Sequence, residues 1–407
     1  MKVVIAPDKF KECLPASAVA EAMAQGVLDV CPQAVIDLCP MADGGDGTVE
    51  AMVAATGGQM VSADVFDPLG KEIRARFALL GEGAQPVLPG ELGLAAALTG
   101  GGEVAEGATA VIEMAAASGM ALVPPERRDP TRTTTFGTGQ LILAALDAGA
   151  RRIIVGLGGS ATVDGGAGAV QALGVTFIGA DGQPCRCGLS GGQLTDIRDA
   201  DLGDLDPRVR QACIEVACDV TNPLIGPRGA AAVYAPQKGA TPEMVIQLEA
   251  ALTHWAELTR RTTGVDIAAM SGAGAAGGLG AGLAAYAGAS LTSGVQVVAK
   301  AVGLRRRLAE ADLCITGEGK LDDQSLSGKT TVGVARMAKE YKLGVLCVAG
   351  QAQGLESDLF VHGALSALFD RIQSLVGQEV TVPLAMRRAG ELIRLRTAQA
   401  LRDYLAS

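Results

Sequence analysis

The stretch ADLCITGEGKLDDQSLSGKTTVGVARMAKEYK (residues 311–342) contains the structural unit that decides the fold. Its apolar run at 313–316 is typical of a short buried strand, and the apolar residues of 331–341 recur at helical spacing. The loop between them ends in GKT (328–330), as a nucleotide-binding P-loop does, but Asp323 stands where that motif requires glycine. The unit is therefore a strand, a loop and a helix, and its loop departs from a P-loop.

The charge of this loop also separates it from a P-loop. It carries three acids, Glu318, Asp322 and Asp323, and ends with Lys329. Carboxylates would repel a triphosphate unless a cation lay between them. We therefore expect this loop to bind phosphate through a structural arrangement that differs from a P-loop.

The composition disfavours several classes of protein. The formal net charge is −10 and no basic stripe is visible, so we expect no nucleic-acid partner. The nine cysteines are odd in number and form no Cys-x-x-Cys pair, which favours reduced thiols over a disulfide framework or a zinc site. The first residues run directly into an apolar strand rather than a signal peptide, so we expect a cytoplasmic protein.

Histidine chemistry and membrane insertion are both disfavoured. The two histidines, His254 and His362, lack the spacing of a metal site, and structural roles are expected for both. The segment 267–299 has no charge and is long enough to cross a bilayer, but it consists mostly of Gly, Ala, Ser and Thr. We expect it to form tightly packed buried helices in a soluble protein with no membrane partner.

The order of strand, glycine-rich loop and helix recurs along the chain and predicts an α/β fold with largely parallel sheets. Strands are expected at 3–6, 34–38, 109–112, 152–155, 213–217, 313–316 and 344–348, and helices at 16–29, 48–56, 139–148, 242–262 and 331–341. An extended pair at 59–66 and 72–80 interrupts this order, and the length of 407 residues suits two domains. We therefore expect a discontinuous domain of residues 1–70 plus 295–407 and an inserted domain of residues 71–294.

Charged and small polar residues collect where the predicted strands end. The residues that follow successive strands are Asp8, Lys9 and Lys11; Asp43 and Asp46; Ser160, Thr162 and Asp164; Asp219 and Asn222; and Glu318, Asp323 and Lys329. Ligands of open α/β sheets bind beyond the carboxyl ends of the strands. Acids hold Mg²⁺ or accept a hydroxyl proton, while lysines and glycine amides bind phosphate oxygens. The pattern therefore predicts phosphoryl transfer.

Each group also has a structural alternative. The DGGD sequence at 43–46 also suits a turn that caps the following helix. Lys9 and Lys11 also suit a solvated loop. The sequence GAGAAG at 272–277 matches a dinucleotide-binding pattern, but no strand precedes it, so a closely packed helix is favoured over a dehydrogenase motif.

Longer motifs occur in order along nearly the whole chain. They are IAPDKFK (5–11), ADGGDGT (42–48), VIEMAAASG (111–119), CDVTNPL (218–224), PQKG (236–239), GAGAAGGLG (272–280), TGEG (316–319) and DQSLSGK (323–329). Together they resemble the signatures of bacterial glycerate kinases of the glycerate/glucarate degradation type. Two departures stand out: Val163 occupies a position where the family usually has asparagine, and residues 85–103 look like an insertion.

The resemblance implies transfer of the ATP γ-phosphoryl group to D-glycerate with Mg²⁺, giving 2-phosphoglycerate, in a cleft between two three-layer α/β domains. Phosphorylation of the 3-hydroxyl and a non-catalytic hydroxy-acid-binding protein stay open, as does a homodimer. The candidate catalytic acids are Asp43, Asp46, Asp164 and Asp219, of which Asp43 and Asp46 are also candidate Mg²⁺ ligands. The candidate glycerate-binding residues are Asp8, Lys9, Lys11, Arg132 and Asn222. The candidate nucleotide-binding residues are Ser160, Thr162, Lys238, Glu318, Asp323 and Lys329.

Overall fold

The computed structural model describes residues 1–84, 107–321, 330–352, 365–377 and 379–407. The strands are β1 (Lys2–Ile5), β2 (Val35–Leu38), β3 (Gln59–Phe66), β4 (Glu72–Leu79), β5 (Ala108–Glu113), β6 (Ala150–Gly156), β7 (Thr176–Gly179), β8 (Ile197–Asp201), β9 (Cys213–Ala217), β10 (Ser290–Thr292), β11 (Leu313–Leu321), β12 (Gly344–Ala352) and β13 (Arg371–Ser374). The helices are α1 (Ala16–Leu28), α2 (Thr48–Thr56), α3 (Ala115–Ser118), α4 (Phe136–Asp147), α5 (Ala167–Ala172), α6 (Pro207–Gln211), α7 (Ala230–Tyr234), α8 (Pro242–Thr263), α9 (Leu279–Ala287), α10 (Gly294–Ala301), α11 (Leu304–Ala309), α12 (Thr330–Glu340), α13 (Val382–Arg387) and α14 (Ala389–Leu405). The insertion predicted at 85–103 lies outside the described residues.

The strands form two large sheets. A five-stranded sheet has the order β13-β12-β11-β1-β2 and is parallel throughout. A six-stranded sheet has the order β10-β9-β6-β5-β4-β3 and is parallel except where β3, β4 and β5 pair antiparallel. The strands β7 and β8 form a small antiparallel ribbon. The predicted α/β fold with largely parallel sheets is confirmed.

Strand β1 shows why this sequence produces a sheet that is covered on both faces. Val3 and Ile5 pack against α1 and α14, whereas Val4 and Ala6 point to the opposite face and another layer of helices. Successive side chains of a strand alternate between faces, so a continuous apolar run buries both. The five-stranded sheet therefore lies between two helical layers.

One of these helical layers is shared with the six-stranded sheet. A single apolar cluster joins Val4 of β1 to Val111 of β5 and Ile154 of β6, through Met52 of α2 and Val298 of α10. The other face of the six-stranded sheet packs against α4, α5, α8 and α9. The sheets are thus held together by apolar packing between α2, α10 and the strands on either side.

The two sheets divide the chain nearly as the expected domains do. Strands of the five-stranded sheet come from residues 2–38 and 313–374, and those of the six-stranded sheet from 59–292. However, β3 pairs with β4, so the expected boundary after residue 70 falls inside a hairpin of the six-stranded sheet. We therefore propose that the first boundary lies at 57–58, between α2 and β3.

The uncharged segment 267–299 contains α9, β10 and part of α10. Most side chains of α9 and α10 are buried, as expected for small residues that allow close packing. In the described part of the chain, no helix is long and apolar enough to cross a membrane. The cytoplasmic location and the homodimer stay predictions.

Candidate active site

The loops that follow β2, β6 and β9 meet where the two sheets approach each other. A Cβ atom built on Gly156 would lie 2.4 Å from the carbonyl oxygen of Gly44, and one on Gly44 would lie 2.6 Å from Cβ of Ala217. Gly44 also has φ of 86°, in the left-handed region that favours glycine. The DGGD loop of the five-stranded sheet is thereby placed against the strand ends of the six-stranded sheet.

Three carboxylates interact at this junction: Asp8 after β1, Asp43 after β2 and Asp219 after β9. Burial and the charge of Asp43 raise the pKa of Asp8 to about 6. Burial raises the pKa of Asp219, and the charge of Asp43 adds to the increase. Asp43 therefore interacts electrostatically with one carboxylate from each sheet, and its side chain is half-buried.

Hydrogen bonds tie two of these acids to helix starts in the shared layer. Asp8 accepts from Thr330 Oγ1 at 2.7 Å, at the first residue of α12. Asp219 accepts from Ser293 Oγ and from the backbone N–H of Gly294, each at 2.9 Å, at the start of α10. These donors favour the ionised carboxylates.

Asp43 is engaged less than its two neighbours. It accepts the backbone N–H of Gly45 at 3.0 Å, within its own loop. The same loop is closed by Thr48, whose hydroxyl donates to the carbonyl of Gly45 at 2.5 Å. Glu113 of β5 accepts the backbone N–H of Val49 at 3.0 Å and so fixes the start of α2. The Asp43 loop is consequently held in place while the carboxylate of Asp43 faces a cavity.

This cavity has a volume of about 390 Å³ and combines acids, a lysine and glycine backbone. Its polar lining residues are Asp43, Ser160, Cys218, Asp219, Tyr234, Gln237 and Lys238. Gly44, Gly45, Gly158 and Gly159 contribute backbone to its wall. The cavity is thus a concave surface formed by residues from both sheets, and it includes several of the residues predicted at the strand ends.

Lys238 is the cation of this lining and is only 2% exposed. Its Nζ donates to Ser160 Oγ at 2.6 Å and to the carbonyl oxygen of Thr162 at 2.7 Å. Burial lowers the pKa of Lys238 to about 7, and the charge of Asp164 opposes that decrease. Hydrogen bonds therefore connect Lys238, Ser160 and Thr162, which are three of the residues predicted from the sequence to bind nucleotide.

Asp164 is buried within the protein and not exposed to the cavity. Its carboxylate is fully buried and accepts from four donors: Thr135 N at 2.8 Å, Thr135 Oγ1 at 2.7 Å, Gly166 N at 3.1 Å and Gly168 N at 3.3 Å. Burial nevertheless raises its pKa. Asp164 is not among the residues that line the cavity, and its bonds order the turn before α5. This geometry does not support the catalytic role predicted for it.

Several other predicted residues lie away from the cavity. Asp46 is exposed, and its backbone carbonyl accepts from Lys9 Nζ. Arg132 is exposed and does not line the cavity. Lys11 is also exposed and borders a separate, mostly apolar cavity of about 120 Å³. The structure therefore favours Asp43 over Asp46 as the reactive acid of the DGGD loop.

The remaining predicted residues lie at the margins of the site. Asn222 accepts the hydroxyl of Tyr234 at 2.8 Å, and Tyr234 lines the cavity. Glu318 is buried within β11. Asp323 and Lys329 lie outside the described residues, so their assignments stay predictions. Val163, the departure from the family pattern, is buried in the core of the six-stranded sheet and does not line the cavity.

Four residues of the site were not predicted from the sequence: Tyr234, Ser293, Gly294 and Thr330. Ser293 precedes an apolar run, which is the pattern of a helix start, and that signal could have identified it. Thr330 ends the GKT sequence at 328–330 and directly precedes a predicted helix, so its position was also detectable. Tyr234 has no comparable local signal, because its place in the site depends on the fold.

Carboxylates, a buried lysine and glycine backbone at the strand ends are the groups by which phosphoryl-transfer enzymes act. A sequence profile described as the glycerate kinase family matches residues 3–405. The chain is 45% identical to a glycerate 2-kinase of Escherichia coli (strain K12) over 375 residues, which cover 92% of this chain and 91% of that protein. It is 44% identical to a glycerate kinase of Bacillus subtilis (strain 168) over 407 residues, with 100% and 97% covered.

Similarity to a solved structure is equally extensive. The structure described as "Crystal structure of putative glycerate kinase 2 from Salmonella typhimurium LT2" superposes with a TM-score of 0.83 at 44% sequence identity, and 100% of each chain is covered. The protein is therefore an enzyme that acts as a kinase. The chain belongs to the glycerate kinase family.

Proposed function

We propose that this chain transfers the γ-phosphoryl group of ATP to the 2-hydroxyl of D-glycerate and releases ADP and 2-phosphoglycerate. The observation that carries this proposal is the meeting of Asp8, Asp43 and Asp219 at one edge shared by both sheets, beside a cavity that also contains Lys238. The name of the E. coli relative, glycerate 2-kinase, favours the 2-hydroxyl as acceptor.

Asp43 is the group best placed to accept the proton of the attacking hydroxyl. Asp43 and Asp219 both line the cavity, but Asp219 is held by Ser293 and Gly294, and Asp8 is held by Thr330. In this step the hydroxyl oxygen forms a bond to the γ-phosphorus while the bond from that phosphorus to the bridging oxygen of ADP breaks. The proton goes to Asp43, and the electron pair of the broken bond stays on ADP.

The same junction suits Mg²⁺. Among the residues that the structure describes, no cluster of three His, Cys, Asp or Glu side chains forms a complete metal site. Mg²⁺ at kinase sites is held by one or two carboxylates together with phosphate oxygens and water. Asp8 and Asp219, which flank Asp43, supply such carboxylates. When bound, Mg²⁺ would neutralise phosphate charge that the acids otherwise repel.

Dependence on a divalent cation is a direct consequence. We expect turnover to vanish in excess EDTA and to return when Mg²⁺ is added in excess of the chelator. The measurement is the rate of ADP release at saturating ATP and D-glycerate. Full turnover in EDTA would exclude a metal role for these acids.

The two sheets also indicate how water is kept out. Asp8 and Asp43 follow strands of the five-stranded sheet, whereas Asp219 and Lys238 belong to the half built on the six-stranded sheet. We infer that the halves close on the substrates, because water in an open cleft would compete as phosphoryl acceptor.

The activity is tested by coupled detection of ADP release with and without D-glycerate, followed by phosphorus NMR of the product. In 2-phosphoglycerate the phosphorus couples to one carbon-bound proton, whereas in 3-phosphoglycerate it couples to two. The first pattern is expected. The second would show that the 3-hydroxyl is the acceptor, and no glycerate-dependent ADP release would refute the kinase proposal.

A further inference from the structure

We propose that Lys238 and Ser160 form the subsite that binds the carboxylate of the hydroxy-acid substrate, an inference that rests on the proposed function. Both side chains line the cavity that contains Asp43 and Asp219. Lys238 ends a short helical turn (Pro236–Lys238), and Gly239 after it has φ of 97°, in the left-handed region that glycine tolerates. The turn thereby directs the lysine inward, where it is 2% exposed.

The hydrogen bonds of Lys238 leave capacity for a ligand. An ammonium group has three protons to donate. Two go to Ser160 Oγ and to the carbonyl oxygen of Thr162, at 2.6 and 2.7 Å. Because Ser160 Oγ accepts from the lysine, its own proton can be donated elsewhere. The ammonium and the hydroxyl together can therefore donate to the two oxygens of a carboxylate in the cavity.

The positive charge of buried Lys238 also favours the binding of an anion. Its two acceptors are neutral oxygens, and a buried charge is costly unless it is paired. The nearby carboxylate that interacts with it belongs to Asp164, which already accepts from four donors of its own. Burial accordingly lowers the pKa of Lys238 to about 7. A bound carboxylate would supply the missing negative charge and favour the ammonium form.

The part of the cavity at Lys238 suits a carboxylate better than a triphosphate. Among the described residues that line it, Asp43 and Asp219 are carboxylates and Lys238 is the cation. Where no Mg²⁺ is bound, several phosphate charges would be repelled by these acids, whereas the single charge of one carboxylate is matched by the ammonium of Lys238. The 2-hydroxyl of glycerate is attached to the carbon next to the carboxylate. A carboxylate anchored at Lys238 leaves that hydroxyl within the cavity that Asp43 and Asp219 also line. This favours a hydroxy acid over the nucleotide that was predicted from the sequence to bind at Lys238.

The test is a thermodynamic cycle that measures the coupling between the charge of Lys238 and the charge of the substrate carboxylate. Calorimetric Kd values for D-glycerate, its neutral analogue glyceramide and ADP are measured for the wild-type protein and for Lys238→Met, which keeps the chain length and removes the charge. We expect Kd for D-glycerate to increase on the order of 10²- to 10³-fold in the variant. Kd for glyceramide and ADP should change by less than about threefold, since neither interaction includes this charge pair.

The other outcomes are equally informative. The carboxylate subsite would be refuted if the wild-type protein bound glyceramide as tightly as D-glycerate. It would also be refuted if Lys238→Met increased Kd for ADP and left Kd for D-glycerate unchanged. Turnover is measured separately: normal glycerate binding without any turnover would refute the proposed kinase activity and leave the subsite standing.

Two further variants control for folding. Lys71→Met makes the same substitution at an exposed lysine in the turn between β3 and β4, and its three Kd values should equal those of the wild type. Ser160→Ala removes the second donor and also the acceptor of one Lys238 proton, and Kd for D-glycerate should increase roughly tenfold, as expected for a hydrogen bond to a charged group. If Lys238→Met fails to fold, an unchanged Kd in Ser160→Ala decides against the proposal.

Discussion

Gly294 offers the sharpest test of how the site is assembled, because it touches two of the proposed acids at once. It is the first residue of α10, and its backbone N–H donates to Asp219. A Cβ atom at this position would lie 1.9 Å from the carbonyl oxygen of Asp43 and 2.8 Å from Asp219 Oδ2. We therefore expect Gly294→Ala to damage catalysis by displacing these acids.

The expected loss of kcat in Gly294→Ala follows from the lack of space for a Cβ atom at position 294. Ordinary contacts of Cβ atoms begin at 3.4 Å, so the Asp43 carbonyl or the start of α10 must shift by about 1.5 Å. The clash is with backbone, so no side-chain rotation relieves it. Misplacement of reacting groups by about 1 Å costs on the order of 10²-fold in rate. We therefore expect kcat to fall by roughly 10²-fold or more, with Kd for D-glycerate changed far less because Lys238 and Ser160 are not in this contact.

The assay is steady-state kinetics with a melting temperature for each protein. Gly390→Ala in α14 is the matched control, since nothing lies within 4 Å of the position its Cβ would occupy. It should keep the wild-type kcat and change the free energy of unfolding by at most about 1 kcal/mol. A folded Gly294→Ala protein with the wild-type kcat would refute the placement of Asp43 and Asp219 at the reacting groups.

Three further results are expected. Asp43→Asn should lower kcat by roughly 10²- to 10⁴-fold at a near-normal melting temperature, whereas the exposed Asp46→Asn should lower it by less than about threefold; similar kcat values for both would contradict the assignment. Kd for D-glycerate should increase about tenfold per pH unit above pH 7, because Lys238, with its pKa of about 7, loses its proton there; a flat profile in calorimetry would contradict this. Glu215→Gln should lower the free energy of unfolding by roughly 3–5 kcal/mol in urea titrations, because it leaves Arg152, 1% exposed and 2.5 Å from Glu215, without its carboxylate; a loss below about 1 kcal/mol would argue against a buried ion pair.

The repeating elements could be predicted from the sequence because their signals are local. The bounds of α2, β3 and β9 agree with those expected, since turns and glycines limit each segment. The helix α14 was not predicted. Its apolar face is defined by packing against α1, where a Cβ on Gly26 would lie 2.3 Å from the carbonyl oxygen of Arg394. Such a contact between residues far apart in sequence has no local pattern.

The candidate site shows the same limit at the level of single residues. Asp43 and Asp219 follow strands, and the rule that ligands bind beyond the carboxyl ends of strands is sufficient to find them. Asp164 satisfies the same rule, yet its carboxylate is occupied by Thr135, which precedes it by 29 positions in the chain. The rule identifies the edge of the sheet and not the direction of each side chain. Only the fold separates an acid that lines the cavity from one that orders a turn.

The division of the site between the two sheets explains why the sequence could name the reaction more readily than the roles. Asp43 is carried by the five-stranded half, and Lys238 with Ser160 by the six-stranded half. In the proposed assignment, a carboxylate bound at Lys238 meets Asp43, the proposed proton acceptor, only where the halves are in contact. One such contact is that of the Asp43 carbonyl with Gly294, at the start of a helix in the shared layer. In this assignment, substrate binding and chemistry depend on different residues, and the packing between the halves couples them.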